Sequence, residues 1–256
     1  MNEHDGYRPS SYGDSFADVY DDWYADVSDI DATVALLGSL ANGRPLLELG
    51  VGTGRIAVPL AATGVSLVGV DASHAMLDIL RNKSDAAAII AIEADMAALG
   101  QARGLSDHGP FGVVFAAFNT FFNLPTDSAQ ADCLEGCHGL LFDDGRLVIE
   151  GFVPPEGGLA DSGVSVRDVT ASTAVLTVST HDADDQLIRG HHIEMRSDGN
   201  TMRPWIIHYR TPEQLDASAE AAGFVLDHRW ADWHGTPFDP AVHDVHITVY
   251  RKVSSP

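Results

Sequence analysis

Over the first 155 residues, short apolar runs alternate with stretches of helical spacing. Residues 45–49, with Pro45, Leu46, Leu47 and Leu49 around Glu48, form the kind of run that a strand buried on both faces requires. The run ends in Gly50-Val51-Gly52-Thr53-Gly54; apolar residues at helical spacing follow over 55–62, and Gly64 sits where a C-cap is wanted. Further strands are predicted over 65–70, 88–93, 113–117 and 146–152, the last after the turn sequence Asp143-Asp144-Gly145. Helices are predicted over 72–80 and 129–141, with Asp127 or Ser128 capping the second, while 97–110, with three glycines and a proline, reads as loop or short helix. This alternation is the signature of an α/β fold with a largely parallel sheet.

The flanks follow other patterns. Residues 1–11 are polar and read as disordered, with order beginning near Tyr12. Over 15–27, Phe16, Val19, Tyr20, Trp23 and Tyr24 recur at i, i+3, i+4, i+7 and i+8, which predicts one amphipathic helix with an aromatic face. The next helix is capped by Asp29 or Asp31 and ends at Gly43. Beyond Gly158 the period becomes two, predicting antiparallel strands over 164–169, 174–180, 186–195 and 202–210. In the last of these, Met202, Pro204, Ile206, His208 and Arg210 share one face and Arg203, Trp205, Ile207 and Tyr209 the other. Thr211-Pro212-Glu213-Gln214 is a capping box with proline at the first helical position, and strands over 224–230 and 245–252 close the chain. The division expected is 1–157 for N-terminal helices and α/β core, 158–210 for the insertion, and 211–256 for a return to the core.

Strand, glycine loop, helix, strand and then Asp71 is an arrangement suited to a nucleoside: glycines admit a ligand close to the backbone, and a carboxylate after the second strand accepts both ribose hydroxyls. A dinucleotide fingerprint read from Gly50 would want a glycine at Arg55, and one read from Gly52 begins late after the strand. Glu48, just ahead of the loop, suits a cationic ligand better than a pyrophosphate. After the third strand, Asp95 can accept from an adenine amine and Met96 can wall its ring.

At Glu48–Arg55, Asp71–Leu77 and Glu93–Met96 the chain resembles class I S-adenosylmethionine-dependent methyltransferases, with three motifs in order and at that family's spacings. The resemblance implies a Rossmann-like seven-stranded methyltransferase sheet carrying a small antiparallel β insertion, with S-adenosylmethionine as cofactor. It implies cofactor binding by Tyr24, Glu48, Gly50, Gly52, Gly54, Arg55, Asp71, Ala72, Met76, Asp95, Met96 and Ala116. It further implies an N-terminal helix folded over the cofactor, and an insertion that forms a lid or an oligomer contact. Residues 115–124 are similar to small-molecule enzymes of the family, including N-methyltransferases of aminosugar and lincosamide pathways.

Charge narrows the acceptor. A formal net charge of −22 over 256 residues repels nucleic acid and anionic membranes, and favours a neutral or cationic small molecule. No apolar run is long enough to span a bilayer, and the polar, acidic start lacks a signal sequence, so a cytoplasmic protein, possibly a homo-oligomer, is expected. Cys133 and Cys137 read as buried small hydrophobes, and His191 and His192, adjacent on a strand, point to opposite faces, so no metal site is expected.

Methyl transfer from a sulfonium is an in-line displacement that chiefly needs nucleophile, methyl and sulfur in a row. An amine acceptor must only be deprotonated, whereas a hydroxyl wants a base or a metal. Candidate positioning groups are Tyr12, Tyr20, Tyr24, Asn119, His192 and His208; Tyr20, Asn119 and Tyr12 are preferred as the catalytic set. Phe118, Phe122, Trp23 and Tyr24 are expected to wall the pocket. The reading is N-methylation of a small amine in natural-product or aminosugar metabolism. Its rivals are a small-molecule O-methyltransferase, a nicotinamide dehydrogenase and a non-catalytic cofactor-binding protein.

Overall fold

The fold is taken from a computed structural model that describes residues 6–25 and 27–253. Strands β1 (Leu46–Leu49), β2 (Leu67–Asp71), β3 (Ile89–Glu93), β4 (Phe111–Ala116) and β5 (Leu141–Phe152) come first. The insertion supplies β6 (Ser162–Val169), β7 (Thr173–Asp182), β8 (Leu187–Arg196) and β9 (Gly199–His208), and the chain ends with β10 (Phe224–Trp230) and β11 (Val245–Lys252). Helices are α1 (Ser11–Phe16), α2 (Tyr20–Trp23), α3 (Ile30–Ala41), α4 (Ala57–Ala62), α5 (His74–Asn82), α6 (Asp127–Leu140) and α7 (Pro212–Ala221).

Seven strands form one sheet in the order β10-β11-β5-β4-β1-β2-β3. The five from β5 to β3 run parallel, and β10 and β11 are antiparallel additions. Strand order reverses between β1 and β4, and the crevice at the carboxyl ends of those strands is where this class of sheet binds ligands. Every residue of β1 and β4 is buried, because helices cover both faces. Leu47, Leu49, Val114 and Ala116 face one core, shared with Phe121, Phe122 and α6, while Leu46, Val113 and Phe115 face the other, shared with α3 and α4.

Capping chemistry sets most helix starts. Asp29 accepts from Ala32 N at 3.0 Å at the head of α3, Ser73 caps α5, and Thr211 and Gln214 form the reciprocal capping box of α7. Thr126, rather than Asp127 or Ser128, caps α6. Helix α4 begins at Ala57, two residues later than its periodicity predicts, with Arg55 and Ile56 in the preceding turn.

Three expectations require correction. Residues 15–27 do not form one helix: α1 and α2 are separate short helices broken at Ala17–Val19, neither has a side-chain cap, and the residues after Trp23 leave the helix. The break lets Asp18 reach out to Arg203 while Phe16 and Val19 turn into a common aromatic cluster, so tertiary contacts override the helical period. Order begins earlier than Tyr12, since α1 starts at Ser11 and Tyr7 is already half-buried; residues 1–5 lie outside the described residues. Asp143-Asp144-Gly145 is no turn between elements. It is a bulge inside β5, where pairing with β4 jumps from Phe111↔Leu141 to Val113↔Arg146.

The insertion is a separate antiparallel sheet, β6-β7-β8-β9, whose last strand lies against α1. Among the described residues, no helix is long and apolar enough to cross a membrane.

Candidate active site

A cavity of about 240 Å³ opens at the carboxyl ends of β1 and β2. Its floor is Gly50, Gly52, Asp71 and Ala72, one wall is Met76, Ala94, Asp95 and Met96, and its cover is Tyr7, Arg8, Tyr12 and Tyr20 from the N-terminal segment. The far side is closed by Thr120, Asn123, Leu124 and Pro125 after β4.

Backbone geometry shapes the floor. Gly50 and Gly52 hold φ of 64° and 55°, the left-handed region that side chains resist. A Cβ on Gly50 would lie 2.4 Å from Thr120 Cγ2, whereas one on Gly52 would meet nothing closer than 4.0 Å and would point into open cavity. Gly54 serves packing instead: its Cβ would strike Leu80 of α5 at 2.4 Å, and it does not line the cavity. Asp71 accepts the Gly52 N–H through Oδ2 and the Ser73 N–H through Oδ1, both at 2.8 Å. These bonds fix the carboxylate plane and leave each oxygen a further lone pair for a ligand hydroxyl. Burial raises Asp71 above the ordinary carboxylate range and the two N–H donors oppose that rise. Asp95 accepts the Ala97 N–H at 2.9 Å, which fixes its carboxylate on the cavity wall.

Glu48, Arg55 and Ala116 are brought beside the site without lining it. Glu48 is buried, burial pushes its carboxyl well up against the pull of Arg55, and its Oε2 has no hydrogen-bond partner. Arg55 donates to Ser28 Oγ at 2.8 Å and lies 5.1 Å over the Phe118 ring. Ala116 is buried at the end of β4.

The cover is an aromatic cluster held down by polar ties. Tyr12 stacks on Phe16 at 4.4 Å, Tyr20 lies tilted against Tyr24 at 4.8 Å, and Tyr24 meets Phe118 edge-on at 5.7 Å. The structure thus places Tyr12 and Tyr20 on the cavity and Tyr24, with Trp23, behind them. Ser73 Oγ donates to Asp14 at 2.7 Å, Thr53 Oγ1 donates to Asp21 at 2.5 Å, and Lys83 pairs with Asp21 at 2.8 Å. Arg203 of β9 holds Asp18 through both guanidinium nitrogens, at 2.5 and 2.9 Å, and keeps that carboxyl below its usual range. The fit is tight enough that a Cβ on Gly13 would sit 2.4 Å from Ser73 Cβ.

Asn119 lies just past β4, with φ of 62°; its Oδ1 accepts the Phe152 N–H at 2.8 Å, tying the ends of β4 and β5 together. It is not among the lining residues, and its amide nitrogen makes no hydrogen bond among the described residues. Phe122 is fully buried in the core beneath. His192 packs edge-on against Phe16 and Trp23 and is pushed down to about 4 by burial, with Arg167 and Arg203 adding to the effect. His208 lines a different, open cleft beside Asp127. Neither histidine touches the cavity.

Tyr7, Arg8, Thr120, Asn123, Leu124 and Pro125 are lining residues that the periodicity argument passes over. The aromatic run 115–124 signalled the later group, whereas Tyr7 sits in a stretch whose composition reads as disordered. Its hydroxyl is buried and pushed up to about 12.

A methyltransferase-domain model matches residues 46–145, the span from β1 into β5. The methyltransferase CcbJ from Streptomyces caelestis is 35% identical, and its solved structure superposes with a TM-score of 0.86 over 97% of this chain and 100% of that one. The chain belongs to the S-adenosylmethionine-dependent methyltransferases. The cypemycin N-terminal methyltransferase of a Streptomyces species is 31% identical over 164 residues, a match spanning 63% of this chain and 64% of that protein's length. The sugar N-methyltransferase KedS8 from Streptoalloteichus, at 21% identity, shares the fold with a TM-score of 0.69 over 97% of this chain and 98% of that one. The cofactor of this methyltransferase is S-adenosylmethionine. The residues present fit it: a glycine floor open to the cavity, a carboxylate with free lone pairs for a diol, and two methionines beside Asp95 for an adenine.

Proposed function

We propose that this methyltransferase transfers a methyl group to the amine of a small molecule. Asp71 would hold the ribose hydroxyls, Asp95 and Met96 the adenine, Gly50 and Gly52 the methionine portion, and Glu48 and Arg55 would set the charge beneath the loop. When bound, the sulfonium supplies the electrophilic methyl.

The observation that carries the reading is the chemistry of the cavity wall. Its described lining contains no histidine, lysine or cysteine, and its phenols are all held protonated: burial raises Tyr20, raises Tyr12 further and puts Tyr7 at about 12. Neutral phenols orient a nucleophile and cannot take its proton at neutral pH. A neutral amine needs no more than that; a hydroxyl needs a base. As the amine gains its methyl it becomes cationic, and the aromatic faces of Tyr12 and Tyr20 then favour it. Tyr20 and Tyr12 position the nitrogen, while Asn119, which does not line the cavity, supports the site by tying the ends of β4 and β5 together. The net charge of −22 draws cations toward the site and discourages nucleic acid. The cypemycin enzyme, which by its name methylates an N-terminus, supports nitrogen as the acceptor atom.

The test is a pair of acceptors of one scaffold, one bearing an amine and the other an alcohol at the same place. Methylation of nitrogen is expected. Exclusive methylation of oxygen overturns the reading, particularly if it is lost in His192→Ala.

A further inference from the structure

One charge on the cavity has no counterpart. Among its described lining residues Asp71 and Asp95 are the carboxylates, and Arg8 is the single basic side chain. The two carboxylates are engaged by the N–H groups of Gly52, Ser73 and Ala97. Arg8 is presented by a fixed turn at the head of α1: its N–H donates to Ser11 Oγ at 2.8 Å, and its carbonyl accepts the Ser11 N–H at 2.9 Å. The guanidinium itself makes no ion pair and no hydrogen bond among the described residues, in a chain where 37 acids face 15 lysines and arginines. With so many carboxylates to choose from, the turn aims this arginine at the cavity and at none of them.

An exposed arginine costs nothing while water solvates it, but a ligand that fills the cavity displaces that water, and a charge desolvated without a partner is costly. The partner therefore has to come from the ligand. The planar guanidinium fork matches a carboxylate through two parallel N–H···O bonds. One arginine with no lysine or histidine beside it balances one negative charge, whereas a phosphate ester, at about −1.5 to −2, would exceed it in a chain already at −22. Under the proposed function the cofactor's own carboxylate lies with the methionine portion on Gly50 and Gly52. Arg8 stands on the opposite side, on the cover that also carries Tyr12 and Tyr20. Taking that amine reading as given, we infer that the acceptor is of the amino acid type, with its amine and one carboxylate on the same small scaffold, and that Arg8 binds the carboxylate. Such a zwitterion has no net charge, so the acidity of the chain does not oppose its entry. Arg8 acts as a specificity residue, reading the group beside the amine while the phenols hold the nitrogen.

The experiment is steady-state methylation of matched acids and amides by the wild type, Arg8→Gln and Arg8→Lys. The pairs are glycine with glycinamide, L-phenylalanine with L-phenylalaninamide, and phenyllactate with phenyllactamide, each joined by its phosphonate analogue. The wild type should favour the acids over the amides and phosphonates by about tenfold or more in kcat/KM, the size expected for hydrogen bonds between charged groups. Arg8→Gln should lose this preference through KM, and Arg8→Lys, which keeps the charge without the fork, should retain part of it. A wild type that favours the amides, takes the phosphonates best or accepts no acid, amino or hydroxy, overturns the proposal. So does a preference for acids that survives in Arg8→Gln, or a fall in that variant's calorimetric affinity for S-adenosylhomocysteine, which would give the arginine to the cofactor. The phenyllactate pair reads Arg8 whichever atom takes the methyl, so methylation of its hydroxyl alone would overturn the nitrogen reading while an acid preference there would leave the carboxylate site standing.

Discussion

The floor of the cavity is backbone: two glycines in left-handed conformation and a carboxylate locked by the N–H groups of Gly52 and Ser73. The opposite side is made of side chains carried by two short helices with no caps of their own, held in place by Asp14, Asp18 and Asp21 reaching to α5, β9 and the glycine loop. The first surface is made by residues close in sequence and needs only its own strands to form. The second depends on partners as far away as Arg203. Under the proposed function the floor takes the cofactor and the lid takes the acceptor, so a change in the lid would leave cofactor binding in place and a change in the floor would remove it.

The comparison breaks most severely at Arg203, the anchor most remote from the chemistry. Arg203→Ala leaves Glu194 buried beside only Arg196 and frees Asp18, and truncating one partner of a buried pair costs about 3 kcal/mol. Urea unfolding should show a loss of that order, and an equal midpoint would mean that the lid is not clamped there. Next comes Gly50→Ala, which forces a side chain into φ of 64° and against Thr120. Strain of roughly 1–3 kcal/mol predicts a fall of about tenfold or more in affinity for S-adenosylhomocysteine by calorimetry.

How far the sequence reveals each surface follows from the same contrast. Gly50, Gly52, Asp71, Ala72, Met76, Asp95 and Met96 were legible as residues of one cavity because loops after buried parallel strands converge at the carboxyl ends of those strands. Sheet strands were legible by period, including the hairpins of the insertion. Gly54 misleads because a glycine needed for packing on Leu80 looks the same in sequence as one needed by a ligand. The lid was legible in composition and illegible in shape. Phe16, Tyr20 and Trp23 keep helical spacing, yet Asp18 pairs with a residue 185 positions away, and no local pattern carries that information. Tyr7 was hidden for the same reason, since its burial comes from distant contacts.

A smaller effect sharpens the division at the lid itself. Tyr20→Phe removes a hydroxyl that orients the acceptor and should lower kcat about tenfold while leaving S-adenosylhomocysteine affinity unchanged. A parallel loss of affinity would move Tyr20 to the cofactor side.

A further effect lies outside both surfaces and acts as a control on stability. His246 is fully buried, hydrogen-bonds Thr248 at 2.8 Å and is pushed down to about 4 by burial. The unfolded chain therefore binds a proton below about pH 6.5 that the folded chain refuses until about pH 4, so stability falls as pH drops through that window, by at most about 1.4 kcal/mol per unit. His246→Leu should flatten this slope in urea titrations between those limits without altering cofactor affinity.

The division of labour is tested most directly by one set of calorimetric titrations with S-adenosylhomocysteine, on the wild type, Asp71→Ala and Tyr12→Phe. Loss of hydrogen bonds to a charged group, roughly 1.5–3 kcal/mol, should weaken Asp71→Ala by tenfold to a hundredfold, with Tyr12→Phe matching the wild type. Equal binding by Asp71→Ala, or a comparable loss in Tyr12→Phe, would contradict the proposed assignment of cofactor to the floor and acceptor to the lid.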